Sequence, residues 1–176
     1  MKKIMGLLAV VLCAAVGLAF YMARLQKSSL VDQGKQLYHD GKYAEAAKAF
    51  QQALAEHPAD NIAGVELGRS LLALKRYDET IQALKQTLHR APRSAEAWHL
   101  LGEADAGSRH PKEAVEAYRQ ALALEPDRVH THLMLGQAYR DLKRKAEATA
   151  EWERVIALDP NNEGQFARKL TNFLNR

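Results

Sequence analysis

The chain has 176 residues, of which 25 are Lys or Arg and 21 are Asp or Glu, giving a formal net charge of +4. Residues 1–27 contain four basic residues and no acidic ones, so residues 28–176 carry equal numbers of both and are formally neutral. A neutral body lacks the positive surface that binding to nucleic-acid phosphates requires. The single cysteine, Cys13, excludes an internal disulfide framework and paired-cysteine metal or redox motifs.

An uncharged apolar stretch runs from Ile4 to Met22, after a basic start. A helix of this length spans roughly 28 Å, close to the thickness of the apolar layer of a bilayer. We therefore expect residues 1–26 to form a signal anchor in a bacterial inner membrane, with the rest of the chain in the periplasm. Two alternatives stay open: a signal peptide cleaved near Ala19, which would release a periplasmic protein, and a cytoplasmic orientation of the body.

Prolines recur with a fixed period along the rest of the chain. Pro58, Pro92, Pro126 and Pro160 are 34 residues apart. A period in this range is typical of repeat architectures, in which each unit buries its apolar face against its neighbours. The period divides residues 27–160 into four repeats with the following frames: 27–60, 61–94, 95–128 and 129–162.

Each unit shows the same pattern of small and large residues. Positions are counted from the first residue of each frame. Position 8 is glycine in all four units, and position 20 is a small residue in all four. Because glycine inside a helix costs about 1 kcal/mol relative to alanine, four glycines in register indicate the close approach of a second helix. Turn residues such as Gly41 divide the units, and the prolines end the second helix, so we expect eight helices of about a dozen residues. Large apolar residues recur at position 24, where they are predicted to fill the space between helix pairs: Phe50, Leu84, Tyr118 and Trp152.

The third unit resembles the tetratricopeptide repeat family. Its opening residues Trp98, Leu101 and Gly102 match the family's W-x-x-L-G motif. Its second half matches the family's A-x-x-x-F-x-x-A-x-x-x-x-P motif at these residues: Ala114, Tyr118, Ala121 and Pro126. The resemblance covers residues 27–160 and implies an all-α fold, a right-handed helix-turn-helix solenoid that binds other proteins. Asp105 stands where the family has an aromatic residue; we interpret it as solvated, with a ligand-contacting polar notch as the alternative.

The last segment, 161–176, is predicted to be a capping helix. Phe166, Leu170, Phe173 and Leu174 fall on one helical face, and polar residues occupy the other. We expect the apolar face to cover the last repeat and the polar face to contact water.

The resemblance also implies a binding groove, because first helices line the concave face in this family. Apolar residues beside Lys35, Arg69 and Arg140 favour an extended or helical peptide that carries some acidic groups. The alternative is that these charges only keep the groove solvated. The candidate groove residues are Val31, Lys35, Tyr38, Val65, Arg69, Leu72, His99, Glu103, Leu133, Gln137 and Arg140.

No catalytic motif is present. The chain lacks a glycine-rich phosphate loop, a nucleophile elbow and an H-E-x-x-H zinc motif. We therefore predict no enzymatic activity, no cofactor and no metal site. His99 and His130 could approach each other across neighbouring first helices, near Glu103, but we interpret them as ordinary groove histidines.

These observations together predict a non-catalytic adaptor or scaffold tethered to the cell envelope. It would hold a protein or peptide partner in the concave groove, in a layout similar to small anchored repeat proteins of pilus assembly or cytochrome c maturation. The competing hypothesis is a structural solenoid that self-associates, end to end or through the capping helix.

Overall fold

A computed structural model describes residues 30–174, and all the regular secondary structure in that range is helical. Helix α1 occupies residues 30–39. The all-α solenoid that the family resemblance implied is confirmed for these residues. The helices that follow are α2 (Tyr43–Glu56), α3 (Asn61–Ala73), α4 (Tyr77–Arg90), α5 (Ala95–Gly107), α6 (Pro111–Leu124), α7 (Val129–Asp141), α8 (Lys145–Leu158) and α9 (Glu163–Leu174).

The helices are arranged in two layers. From α2 to α9, each helix packs against the next one along the chain. Helices α3, α5, α7 and α9 also contact one another in series, so the first helices of successive units form one continuous layer. Helix α9 therefore occupies the place that the first helix of a further repeat would take.

The glycines at position 8 allow the two helices of each unit to pack closely. A Cβ on Gly102 would lie 2.5 Å from Cε1 of Tyr118, and one on Gly136 would lie 2.2 Å from Nε1 of Trp152. Tyr118 and Trp152 are fully buried, with 1% and 0% exposure. The close approach of a second helix is therefore confirmed, but the atoms nearest to the glycines belong to the large residues of position 24 and not to the small residues of position 20.

The turn inside each unit contains one residue in the left-handed region. Gly41 has φ of 76°, and non-glycine residues take the same place in the later units: Lys75 at 58°, Arg109 at 63° and Lys143 at 61°. In each turn, the residue that follows the left-handed one donates its N–H to the carbonyl of the residue five positions earlier. This pair of features defines the Schellman motif that ends a helix.

The prolines at position 32 terminate the second helices, as predicted. Their carbonyl groups also fix the start of the following unit. Nε1 of Trp98 donates to the carbonyl of Pro92 at 2.9 Å. Nε2 of His132 lies 2.8 Å from the carbonyl of Pro126 in the equivalent position of the next unit. A ring N–H at position 4 thus ties the first helix to the preceding turn.

The structure corrects two expectations about side-chain burial. Asp105, which we interpreted as solvated, is only 4% exposed, because it lies on the buried side of α5. In α9, Leu170 and Leu174 pack on the last repeat together with the fully buried Ala167. Phe166 and Phe173 are 48% and 76% exposed instead. They lie at the edge of the buried stripe, which centres on Ala167.

The predicted cellular location is also corrected. None of the helices within residues 30–174 combines the length and the apolar character needed to cross a membrane. The membrane segment predicted at residues 4–22, within the anchor region 1–26, lies outside the described residues. The prediction of an inner-membrane protein with periplasmic repeats is contradicted by this finding and is not carried further.

Candidate protein-binding groove

The predicted groove residues lie on the layer formed by α1, α3, α5 and α7, and we call the solvent-facing side of this layer the first-helix face. Three of the predicted residues are buried: Val31 at 8%, Leu133 at 5% and His99 at 4% exposure. Val31 and Leu133 belong to hydrophobic core clusters, so they support the face from beneath. The remaining residues keep part of their surface exposed: Lys35, Tyr38, Val65, Arg69, Leu72, Glu103, Gln137 and Arg140.

A chain of ion pairs crosses this face from α3 to α7. Nη2 of Arg69 donates to Oε1 of Glu96 at 2.6 Å, and its Nε donates to Oε2 of Glu66 at 3.3 Å. Arg128 pairs with the other oxygen of Glu96 and also with Glu125 at 3.0 Å. Burial raises the pKa of Glu96, but the hydrogen bond from Arg128 and the charges of Arg128 and Arg69 outweigh burial and hold it below its usual value. Glu96 is therefore a shared acceptor for two guanidinium groups.

These pairs change the predicted electrostatics of the groove. Arg69 was predicted as a cation facing an acidic partner, but two carboxylates of the same chain already contact it. Among residues 30–174, the one ion-pair partner of Arg140 is its exposed neighbour Asp141, at 2.8 Å, and Lys35 is exposed. Arg140 and Arg69 are about equally exposed, at 37% and 35%, but Arg140 has one carboxylate partner and Arg69 has two, so Lys35 and Arg140 are the less neutralised cations of the predicted set.

An apolar patch lies at the start of α3. Ile62 is 60% exposed, which is unusual for a side chain of its size, and Val65 is partly exposed beside it. Ile62, Val65, Arg69 and Leu72 follow spacings of three and four residues and share one side of the helix. The patch borders a shallow cavity of about 290 Å³, lined by Ile62, Val65, Glu66, Arg69 and Glu96 among others.

The list of candidate groove residues omitted three residues of this face, although His130 was interpreted as a groove histidine. Ile62, Glu96 and His130 each occupy position 2 of their unit. The groove set was drawn from positions 5, 9 and 12 only, although position 2 lies one helical turn earlier on the same side. The period alone would have found them.

Between α5 and α7, two histidines converge on one carboxylate. Nε2 of His99 lies 3.4 Å from Oε1 of Glu103, one helical turn away on α5. Nε2 of His130, on α7, lies 3.6 Å from the same oxygen. The two imidazole rings have their centroids 5.4 Å apart. These three side chains could hold a metal ion, because their ligand atoms all lie within 4.8 Å of one another.

The Nδ1 atoms of both imidazole rings also have hydrogen-bond partners. Nδ1 of His99 lies 2.9 Å from Oγ1 of the buried Thr131, and Nδ1 of His130 lies 3.0 Å from Oε1 of Glu163 on α9. Burial raises the pKa of Glu103, but the imidazoles of His130 and His99 outweigh it and lower the pKa to about 2. Interaction with Glu103 raises the pKa of His130; burial opposes this, and Glu163 adds to it. His130 thus lies between two carboxylates, those of Glu103 and Glu163.

Comparison with known proteins identifies the family. Two tetratricopeptide repeat models match residues 37–104 and 99–163, which together span most of the chain. The chain belongs to the tetratricopeptide repeat family. The fold is therefore that of a protein–protein interaction scaffold, and it is typically non-catalytic.

Solved structures show the same fold. MamA of Desulfovibrio magneticus RS-1, from residue 41 to its end, is 26% identical, with 77% of each chain covered and a TM-score of 0.72. TTC0263, a thermophilic tetratricopeptide repeat protein of Thermus thermophilus, is 26% identical, with 84% of this chain and 80% of that chain covered and a TM-score of 0.67. A further MamA structure is 20% identical, with 84% of this chain and 85% of that chain covered and a TM-score of 0.73. At this identity the match shows a similar fold and nothing more. No curated protein matches the chain.

Proposed function

We propose that this protein is a non-catalytic adaptor whose first-helix face forms the concave groove for a peptide or helix of a protein partner. The binding modules would be the four units 27–60, 61–94, 95–128 and 129–162. The observation that supports this proposal most directly is the exposed Ile62, at 60%, beside a cavity of about 290 Å³. An apolar centre with a polar rim is the usual anatomy of a protein interface.

The contacts around the patch support a partner with an apolar anchor. Because Arg69 is neutralised by Glu66 and Glu96, the patch itself favours an apolar anchor side chain over an acidic one. The less neutralised cations Lys35 and Arg140 lie on other helices of the same face. Acidic groups of the partner would there affect selection and association rate more than affinity.

The test is to replace Ile62 with aspartate and to measure partner recovery from native cells by quantitative mass spectrometry. Because Ile62 is exposed, Ile62→Asp should leave the circular dichroism spectrum and the melting temperature unchanged. We expect recovery of a specific partner to fall at least about tenfold, as for the loss of an interface anchor. Gln82→Asp, at an exposed position of α4 in the other layer, is the matched control and should bind as the natural chain does. Equal recovery with both variants would rule out the groove patch.

A second candidate function is self-association through α9. Its supporting observation is the exposure of two large apolar residues on the terminal helix, Phe166 at 48% and Phe173 at 76%. If this surface joins two copies, light scattering should show a mass that rises with concentration, and Phe166→Ser with Phe173→Ser should abolish the rise. Ile62→Asp should not affect it. A constant monomer mass for the natural chain would exclude this candidate.

A further inference from the structure

The distances in the histidine cluster are those of a metal site rather than of hydrogen bonds. Good N–H···O hydrogen bonds are about 2.7–3.2 Å long. Nε2 of His99 and Nε2 of His130 lie 3.4 Å and 3.6 Å from Oε1 of Glu103. In a tetrahedral zinc site with metal–ligand bonds of about 2.0–2.1 Å, neighbouring ligand atoms lie roughly 3.4 Å apart. Both imidazole nitrogens are therefore spaced from the carboxylate oxygen as ligands around one small cation would be, and the ligand atoms of the three side chains all lie within 4.8 Å of one another.

The orientation of both rings is fixed from outside the cluster. Thr131 and Glu163 lie 2.9 Å and 3.0 Å from the Nδ1 atoms of His99 and His130. With Nδ1 donating to these oxygens, each Nε2 presents its lone pair to the centre. Metal-bound histidines commonly donate their second N–H to a carboxylate or another oxygen in this way.

The charge around the cluster also favours a dication. Glu103 and Glu163 contribute two negative charges, and Oε2 of Glu163 is buried with no hydrogen-bond partner among the described residues. Two neutral imidazoles leave those charges uncompensated, so a divalent ion would neutralise them. An imidazole binds a metal ion only in its neutral form, so affinity should rise with pH.

We propose that His99, Glu103 and His130 form a zinc-type transition-metal site between the third and fourth units, with Thr131 and Glu163 positioning the two imidazoles. Two imidazoles and one carboxylate favour zinc or a similar ion over magnesium or calcium, which prefer all-oxygen sites. Three protein ligands leave a fourth position for water or a side chain of a partner. The side chain of His130 is 46% exposed, which opens that position to the first-helix face.

This site would link α5 and α7 directly, and α9 through Glu163. It does not depend on the proposed partner binding, because the metal can be tested on the protein alone. A bound ion would hold the fourth unit and the capping helix in one arrangement, and it could add a coordination bond to partner recognition.

The experiment is a calorimetric titration of the full chain with ZnCl₂, repeated with CoCl₂ to record the visible absorption of four-coordinate cobalt. We expect one saturable equivalent and a higher melting temperature with zinc. His130→Gln and Glu103→Gln should each lower affinity at least about tenfold, and Glu163→Gln should lower it by about 10–100-fold. These positions are partly exposed, so the variants should keep the natural circular dichroism spectrum.

The matched control is His89→Gln, at an exposed position of α4, which should retain the full affinity. The proposal would be overturned if the natural chain shows no saturable equivalent. It would equally be overturned if His130→Gln and Glu103→Gln bind zinc as tightly as His89→Gln does.

Discussion

At the scale of single residues, the left-handed turn positions store backbone strain in three of the four units. Lys75, Arg109 and Lys143 have φ near 60°, where Gly41 of the first unit meets no penalty. A side chain with a Cβ costs about 1–2 kcal/mol in this conformation. The fold tolerates these residues because the turn's hydrogen bonds and the packing of the flanking helices determine its geometry.

Replacing Lys143 with glycine should therefore stabilise the protein. We expect Lys143→Gly to raise the free energy of unfolding by about 0.5–1 kcal/mol, since relief of strain exceeds the added freedom of the unfolded chain. Urea denaturation followed by circular dichroism measures this change. Ala150→Gly, at an exposed position inside α8, is the opposite control and should lose about 1 kcal/mol. If Lys143→Gly and Ala150→Gly lower the free energy of unfolding by similar amounts, Lys143 is not strained in the natural chain.

Glu96 gives a prediction about pH. Its pKa in the folded state lies below the unfolded value of 4.5, so its stabilising contribution is present above pH 4.5 and is lost as the pH falls through the folded pKa. Glu96→Gln should lower stability at pH 7 by about 1 kcal/mol, a magnitude suited to a partly exposed charged pair. The difference from the natural chain should shrink toward acid.

Urea midpoints measured from pH 7 to pH 3 test this. Glu153→Gln, at an exposed position of α8, is the matched control and should run parallel to the natural chain. A difference between Glu96→Gln and the natural chain that stays constant over this range would show that Glu96 acts through packing instead of charge.

At the scale of helices, the close packing of the two helices in each unit depends on the absence of a Cβ at the glycine of position 8. The Cβ that Gly102 lacks would lie 2.5 Å from the buried ring of Tyr118. Gly102→Ala should gain about 1 kcal/mol of helix propensity and lose about 1–3 kcal/mol through overpacking, for a net loss of up to about 2 kcal/mol.

Tyr118→Leu separates these two effects. If the clash is the cause, Gly102→Ala should cost less in the Tyr118→Leu background than in the natural chain, which thermal denaturation of the four proteins would show as a coupling energy. Strict additivity would mean that the glycine is needed for another reason.

The helical elements could be predicted from the sequence because their signals are periodic. The 34-residue period, the glycines at position 8 and the prolines at position 32 together predicted the helix pairs and their contact. The exposure of Phe166 and Phe173 could not be predicted in the same way. A helical wheel shows which residues share a side, but the width of the buried stripe depends on the neighbouring helices, here α7 and α8.

At the scale of the whole molecule, the groove was predicted in outline and its interactions were not. The family resemblance gave the lining positions, and the structure places most of them on one face. The sequence did indicate that His99 and His130 could approach each other across neighbouring first helices, and their ring centroids lie 5.4 Å apart. Arg69 and Glu96 are 27 residues apart, and spacing rules within one helix find partners only three or four residues away, so this ion pair was not predicted.

Site-specific photo-crosslinking in native cells tests the binding groove most directly. A photo-crosslinking amino acid would replace Ile62 on the first-helix face, Gln82 on the other layer, or Phe173 on α9, one at a time. We expect residue 62 to give a discrete adduct with one partner protein and residue 82 to give none. Equal adducts at residues 62 and 82, or adducts formed only between copies of this chain through residue 173, would contradict partner binding in the groove.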